Sequence, residues 1–372
     1  MTDGFGIYIH IPFCACKCNY CSFYSLPLGD DVKKQYCNRL INDIKTRGGE
    51  INRPVSSIYI GGGTPTVMGG KMLFDILNEV KHSFNVIDNA EITVEANPAD
   101  NLQDTLARLF AGGCNRLSFG VQSVNSEELN ILGRRHGVRQ VKNAIQVARK
   151  IGFNNISLDL MIGLPNSTTA TLKNSIDFII SQNPNQISAY ILKVEDGTPL
   201  CSMPVVKNIP NDDLIADQYL FMCESLENAG YTHYEISNFA KSGFEGKHNI
   251  NYWKCGEYLG FGPSAHSFYG GERFFYTADL QEYLNGSVPV FDGVGGTAGE
   301  YIMLGLRLDS GISNNEFKRR FGKDLPKSIY KDAELLQKNG LCLSDGNKIK
   351  LTDKGMLVSN SIITLLTEDK DI

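Results

Sequence analysis

Four of the ten cysteines crowd into one short run near the amino terminus, IHIPFCACKCNYCSF, at Cys14, Cys16, Cys18 and Cys21. Three of them, Cys14, Cys18 and Cys21, have the spacing C-x3-C-x2-C. Thiolates this close in sequence wrap a short loop around a soft metal centre, because Cys sulfur is the preferred ligand of iron-sulfur clusters and of zinc. Three thiolates around four irons would leave one iron open to a further ligand. A zinc knuckle is the alternative, but zinc sites favour two C-x2-C pairs set apart, and no second pair exists here. A disulfide framework belongs to small secreted chains, so the bunched thiols of this one point to metal or redox chemistry.

Other residue types suited to binding follow further along. The run GGGTP places Gly61, Gly62 and Gly63 before Thr64 and Pro65. Glycine lets backbone approach a ligand where any Cβ would collide, although such a run by itself is only a turn. Glu95 in VEANP, Gln122 in SFGVQS, Arg134 in LGRRH and Asp159 in LDLMIGLP are polar residues in or just past apolar runs. Taken singly, each is a rim residue satisfied by its neighbours. At 248–253, HNINYW sets His248, whose imidazole can ligate iron, beside the flat faces of Tyr252 and Trp253. Without further context, a histidine beside aromatics is a satisfied core or surface residue.

The elements that must position these residues are legible as alternating periodicities. Apolar runs at 6–11, 56–60, 91–96, 115–121, 156–162 and 186–192 read as six strands, and helical periodicity appears between them, as in KMLFDILNEVKHSF and RQVKNAIQVARKIG. Repeated βα units predict an α/β fold, a partial (β/α)6 barrel over residues 1–195. Chemistry in such folds gathers at the carboxyl ends of the strands, where the motifs above fall. After 195 the turn-rich DGTPL and PVVKNIPNDD precede a helix near 212–230, so 196–295 reads as an extension of the barrel. From 296 to 372, three helical segments and a hairpin turning at Asp345-Gly346 resemble a winged helix. Such modules often bind DNA, but Lys318, Arg319, Arg320 and Lys323 alone are as easily a solvated helix face, and nucleic acid is not expected as a partner.

The cysteine spacing and its setting after a first strand resemble the radical S-adenosylmethionine (SAM) superfamily, and IHIPFC resembles its coproporphyrinogen oxidase-like family. The resemblance implies a [4Fe-4S] cluster held by Cys14, Cys18 and Cys21, with SAM bound to the fourth iron through its amino and carboxylate groups. An electron passed to the sulfonium would cleave SAM to methionine and a 5'-deoxyadenosyl radical, chemistry of the cofactors for which the protein supplies geometry and dryness. Residue by residue, it puts Tyr8 and Tyr20 beside SAM and Gly62, Gly63 and Thr64 against the methionyl amino group. Glu95, Gln122, Arg134 and Asp159 match further SAM contacts, the carboxylates suited to ribose hydroxyls or the ammonium and Arg134 to the carboxylate.

That family holds oxygen-independent coproporphyrinogen III oxidases, which decarboxylate two propionates, and HemW-type heme chaperones. Oxidases extend the motif to C-x3-C-x2-C-x-C, where this chain has Phe23, and carry a long segment before the cluster, where this chain has 13 residues before Cys14. HNINYW matches the HNxxYW motif associated with heme binding in the HemW type. The resemblance therefore implies heme as a further cofactor, with His248 as a ligand and Cys255 or His266 left open for that place. It also implies transfer of heme to an acceptor protein that the sequence does not identify. An oxidase or another radical SAM enzyme on a porphyrin-like substrate is the alternative. Two departures stand out: Cys16 inside the cluster loop, read as a bystander, and Ser22 where these proteins commonly have Asp. Cys37, Cys114, Cys201, Cys223 and Cys342 are expected to be buried small hydrophobes.

Composition bounds the rest. The 372 residues are 42% hydrophobic and 21% charged, which supports a sizeable core and excludes global disorder. Lys plus Arg number 36 against 41 Asp plus Glu, a net charge of -5, so no overall basic field draws the chain to nucleic acid or anionic lipid. No stretch approaches the roughly 20 apolar residues of a membrane span, and no signal-peptide pattern opens the chain, so a cytosolic location is expected.

Overall fold

The computed structural model describes residues 4–98 and 101–368, so the outermost residues of the first and last expected units lie outside it. Six parallel strands lie side by side in chain order: β1 (Phe5–Ile11), β2 (Val55–Gly62), β3 (Val86–Ala96), β4 (Arg116–Gln122), β5 (Asn155–Ile162) and β6 (Gln186–Ile191). Between them run α1 (Asp30–Gly48), α2 (Gly70–Ser83), α3 (Gln103–Ala111), α4 (Ser126–Ile131) with α5 (Val138–Ile151), and α6 (Thr169–Ser181). Each apolar run of the sequence is a strand.

Every strand has two unlike faces, because successive side chains point to opposite sides of a sheet. One face carries Ile7, Ile9, Ile11, Ile58, Ile60, Val94, Leu117, Phe119 and Leu158, buried with Leu40, Ile76, Leu109, Ile145 and Ile176 of the helices in one continuous core. Burying each such side chain is worth about 1.5–3 kcal/mol, so this face holds the helices to the sheet. The other face carries Tyr8 and His10, Ser57 and Tyr59, Glu91 and Glu95, Arg116 and Ser118, Asp159, Gln186 and Ser188. Residues from the loop after β1 through to β6 line a single cavity, so the sheet curls and its polar face becomes a lumen.

The sheet continues past β6. After α7 (Asp212–Asn228), β7 (Thr232–Glu235) and β8 (Asn238–Ala240) extend one edge, β8 running antiparallel to β6. After α8 (Lys247–Trp253), β9 (Tyr258–Phe261) pairs parallel with β1. β10 (His266–Tyr269), β11 (Glu272–Phe275) and, after α9 (Leu280–Leu284), β12 (Val290–Val294) complete the other edge. The resulting order is β12-β11-β10-β9-β1-β2-β3-β4-β5-β6-β8-β7. These added strands are three to five residues long, too short for an alternation to show in the sequence.

The seven-residue α8 closes the amino-terminal end of the lumen. Its first backbone N–H groups, those of Lys247 and His248, each donate to the Glu91 carboxylate at 3.1 Å. A carboxylate there satisfies orphan helix donors and sits favourably at the positive end of the helix.

The C-terminal unit has its own core, built on Tyr301, Ile302, Phe317, Ile329, Ile349 and Leu366. It runs α10 (Ala298–Gly305), β13 (Ile312–Ser313), α11 (Asn314–Phe321), α12 (Lys327–Lys338), β14 (Cys342–Ser344), β15 (Lys348–Leu351), α13 (Asp353–Leu357) and α14 (Ser359–Thr367). The three helices and the hairpin expected from the sequence are there, with β13 joining the hairpin in a sheet ordered β13-β15-β14. Its basic residues have acidic neighbours: Lys318 pairs with Asp324 at 3.1 Å, and Arg319 and Arg320 reach Glu316 at 2.5 and 2.6 Å. Of the scattered cysteines, Cys37, Cys114, Cys223 and Cys342 are buried, but Cys201 is exposed, in the 3-10 turn Pro199–Ser202 after β6. Among the described residues no helix is long and apolar enough to cross a membrane.

Glu91→Ala would strip two helix N–H groups of their acceptor, that of His248 buried, and an unpaired buried donor costs about 1–3 kcal/mol. Urea unfolding should show a loss of that order, and a smaller one for Glu91→Gln, whose amide oxygen still accepts.

Candidate cofactor site

The cysteine loop leaves β1 and is stitched to the GGGTP turn beside it. Gly63 N donates to Ile11 O at 2.8 Å and Thr64 N to Phe13 O at 2.7 Å. A Cβ on Gly63 would fall onto the Phe13 carbonyl oxygen and lie 2.9 Å from that of Ile11, so only glycine permits this stitching. The far side of the loop is pinned through Asn19, whose backbone and side chain donate to Leu132 O and Ile131 O at 3.0 and 2.8 Å. Tyr20 packs among Leu132, Met161, Leu164 and Leu200.

The loop opens onto a cavity of about 270 Å3 at the carboxyl ends of the strands. Cys14, Cys18, Cys21, Tyr20, Gly62, Gly63, Thr64, Glu95, Gln122, Arg134 and Asp159 all line it. Segments more than a hundred residues apart in sequence thus meet in one place. Tyr8 does not reach the cavity: it lies deeper in the lumen, its hydroxyl 3.0 Å from His10 Nδ1. His10 packs rather than facing the mouth, with Nε2 2.9 Å from Tyr24 O.

Arg134 ties the site together. Its Nη1 lies 3.5 Å from Cys18 Sγ and 3.0 Å from Asn97 Oδ1, while Nη2 donates to Gly120 O at 2.5 Å. A Cβ on Gly120 would run into that guanidinium. Asn97 in turn donates to Thr64 Oγ1 at 2.9 Å, and Thr64 Oγ1 stands 3.6 Å from Cys14 Sγ. One chain of polar contacts therefore joins two of the three cysteines. Asn97 was not singled out in the sequence, although its place just past the carboxyl end of β3 was the available signal. Burial pushes the Cys21 thiol up.

Two buried polar atoms at the cavity have no partner, Gln122 Oε1 and Arg134 Nε. Native structures leave few such atoms unpaired. Gln122 also has φ +68, in the left-handed region that side chains other than glycine rarely adopt, where β4 and β5 slip in register. Backbone strain of this kind clusters at ligand sites. Below them, Tyr59 donates to Glu95 Oε1 at 2.7 Å and Ser118 to Asp159 Oδ1 at 3.0 Å. Thiolates suited to iron, a cation, carboxylates and unpaired buried atoms around one cavity fit a cluster with a zwitterionic ligand.

His248 is not brought to this cavity. It sits in the closed end of the lumen on α8, 1% exposed, its ring stacked on Tyr59 at 5.4 Å. Nδ1 is 2.9 Å from Ser57 Oγ and Nε2 2.7 Å from Tyr252 Oη, so both ring nitrogens are engaged. Burial lowers its pKa to about 3, keeping the ring neutral. Trp253 of the same motif donates to Glu235 Oε2 at 2.9 Å. In this conformation HNINYW builds the floor of the barrel. Cys255 is half-buried against the C-terminal core, and His266 is exposed, stacked on Phe275 at 5.3 Å.

The model of the radical SAM superfamily matches residues 8–179 and that of the HemN C-terminal domain residues 298–358. The heme chaperone HemW of Bacillus subtilis (strain 168) is 36% identical over 95% of this chain and 97% of its own length. The chain belongs to the HemW family. The HemW of Haemophilus influenzae is 34% identical over 98% of both chains, and that of Escherichia coli K12 39% identical over 70% of this chain and 69% of its own. Among solved structures, the radical SAM enzyme coproporphyrinogen III oxidase (HemN) from Escherichia coli superposes with a TM-score of 0.85 at 24% identity, covering 99% of this chain and 91% of the other, which establishes the shared fold. A radical SAM chain implies SAM and a [4Fe-4S] cluster as cofactors.

Burial raises the Glu95 carboxyl to about 7 from an ordinary 4.5. The folded chain then keeps a proton that the unfolded chain releases, so the stability it contributes is complete below about 4.5 and lost as pH climbs through about 7. In the cofactor-free protein, the urea midpoint should fall over that interval more steeply for wild type than for Glu95→Gln, which has nothing to titrate.

Proposed function

We propose that this chain is a heme chaperone, which binds heme and passes it to an acceptor protein while carrying a SAM-liganded [4Fe-4S] cluster at Cys14, Cys18 and Cys21. The observation that carries the reading is the 36% identity running along 97% of a HemW chain, from the cysteine loop through the C-terminal unit. In it, Arg134 holds charge beside Cys18, and Gly62, Gly63 and Thr64 present backbone to the amino group of SAM. Glu95 and Asp159 accept from its hydroxyl or ammonium groups, Gln122 and Arg134 offer their unpaired atoms, and Tyr20 shields the loop from water. Tyr8 supports this shell from below through His10. When bound, the cluster supplies SAM with one electron.

Phe23 favours the chaperone over the oxidase. It stands where the oxidase motif has a further cysteine, and it is 65% exposed at the cavity mouth, an apolar surface suited to a macrocycle face. His248 belongs to the reading on one condition. Both its ring nitrogens are occupied, so ligation of heme iron there requires α8 to leave the floor.

Anaerobic reconstitution should load about four irons per chain, and Cys14→Ser, Cys18→Ser or Cys21→Ser should each abolish that loading. His248→Ala should weaken heme binding about tenfold or more, a loss of at least 1.4 kcal/mol. Unchanged affinity moves the iron to another ligand. Conversion of coproporphyrinogen III by the cluster-replete chain with SAM and a reductant would replace the chaperone reading by the oxidase one.

A further inference from the structure

A second group of ligating side chains meets at the seam between the barrel and the C-terminal unit. Cys223 lies on α7, His233 on β7 and Asp353 at the start of α13. A sulfur, a ring nitrogen and a carboxylate oxygen from these three all lie within 4.8 Å of one another. The residues come from 130 positions of chain and three elements, and nothing in the cofactor site uses them.

The group is held in place. The His233 ring stacks on Phe239 with centroids 4.2 Å apart, and its Nδ1 is 2.8 Å from Asp353 Oδ1. His233 is only 5% exposed, yet its Nε2 has no hydrogen-bond partner. Cys223 is 1% exposed, which bars it from meeting a substrate as a nucleophile. The Asp353 side chain is 35% exposed, so the group opens to solvent on that side alone.

The donor set selects the ligand. Sulfur and imidazole suit zinc, whereas magnesium and calcium demand oxygen donors. As ligands, a thiolate, a neutral imidazole and a carboxylate carry two negative charges, which one divalent cation cancels. That neutrality matters where two of the ligands are out of water. Tetrahedral zinc takes a fourth ligand, and water can supply it past Asp353.

We propose that Cys223, His233 and Asp353 bind one zinc ion, which clamps the C-terminal unit onto α7 and β7. The site is separate from the cluster loop and does not depend on the chaperone reading.

The test uses the full-length, cluster-replete chain, exposed to zinc chloride and then gel-filtered. Elemental analysis should find about one zinc per chain beside the iron. Cys223→Ala and Asp353→Asn should each lose the zinc and keep the iron. Asp353→Asn lies at the open side and retains an oxygen for His233, so it tests the site even where Cys223→Ala fails to fold. Zinc should also raise the melting temperature of the wild type and leave that of Asp353→Asn unchanged. Zinc below about a tenth of an equivalent, or zinc retained undiminished by Asp353→Asn, overturns the proposal.

Discussion

A parallel sheet usually buries both faces in apolar surroundings, and this one does not. Its concave face carries Glu91, Glu95, Arg116, Asp159, Gln186 and His248-facing Ser57, groups that cost several kcal/mol each to strand away from water without partners. Apart from Arg116 Nε, which has no partner, the surrounding elements satisfy them. Arg116 reaches Thr93 at 3.2 Å and also bonds Gln186, which donates to Tyr234 and Asn238 at 2.7 and 2.8 Å. Partners for the floor come from α8, and for one flank from β7 and β8, so the segment after β6 exists to complete the lumen.

At the opposite end the same constraint is left partly unmet. Gln122 Oε1 and Arg134 Nε have no protein partner, Gln122 adopts a left-handed backbone, and Glu95 stays protonated to about pH 7 because burial outweighs its hydrogen bonds. Those are the conditions under which a polar ligand gains most from binding, since it supplies bonds that the protein lacks without displacing any it has. Part of the fold's unsatisfied polarity therefore faces the cavity at the strand ends where the thiols arrive.

The HNINYW segment shows how far a motif can be read without its setting. His248 and Tyr252 bond each other at 2.7 Å across one helical turn, and Ser57 takes the remaining nitrogen. A histidine beside aromatics has the same letters whether its ring is open to a ligand or closed by two hydroxyls. Only the docking of α8 against β1 and β2 distinguishes these states. Cys223 makes the converse point: among apolar neighbours on α7 it reads as filler, and the tertiary structure sets it against His233 and Asp353.

By itself the sequence determined the six βα units, whose strands and helices are long enough for periodicities of two and 3.6 to register, and it marked the cysteine loop, whose thiols are close enough to be read by spacing. It also carried the helices and the hairpin after residue 296, through local helix and turn signals. The tertiary structure decided the short strands that widen the sheet, the floor under the lumen, the role of Asn97, and which polar residues share a cavity. Those depend on contacts between segments far apart in the chain, such as Glu91 with His248 or Arg134 with Cys18, and such contacts leave no trace in local spacing because their energies are exchanged only after the chain has closed on itself.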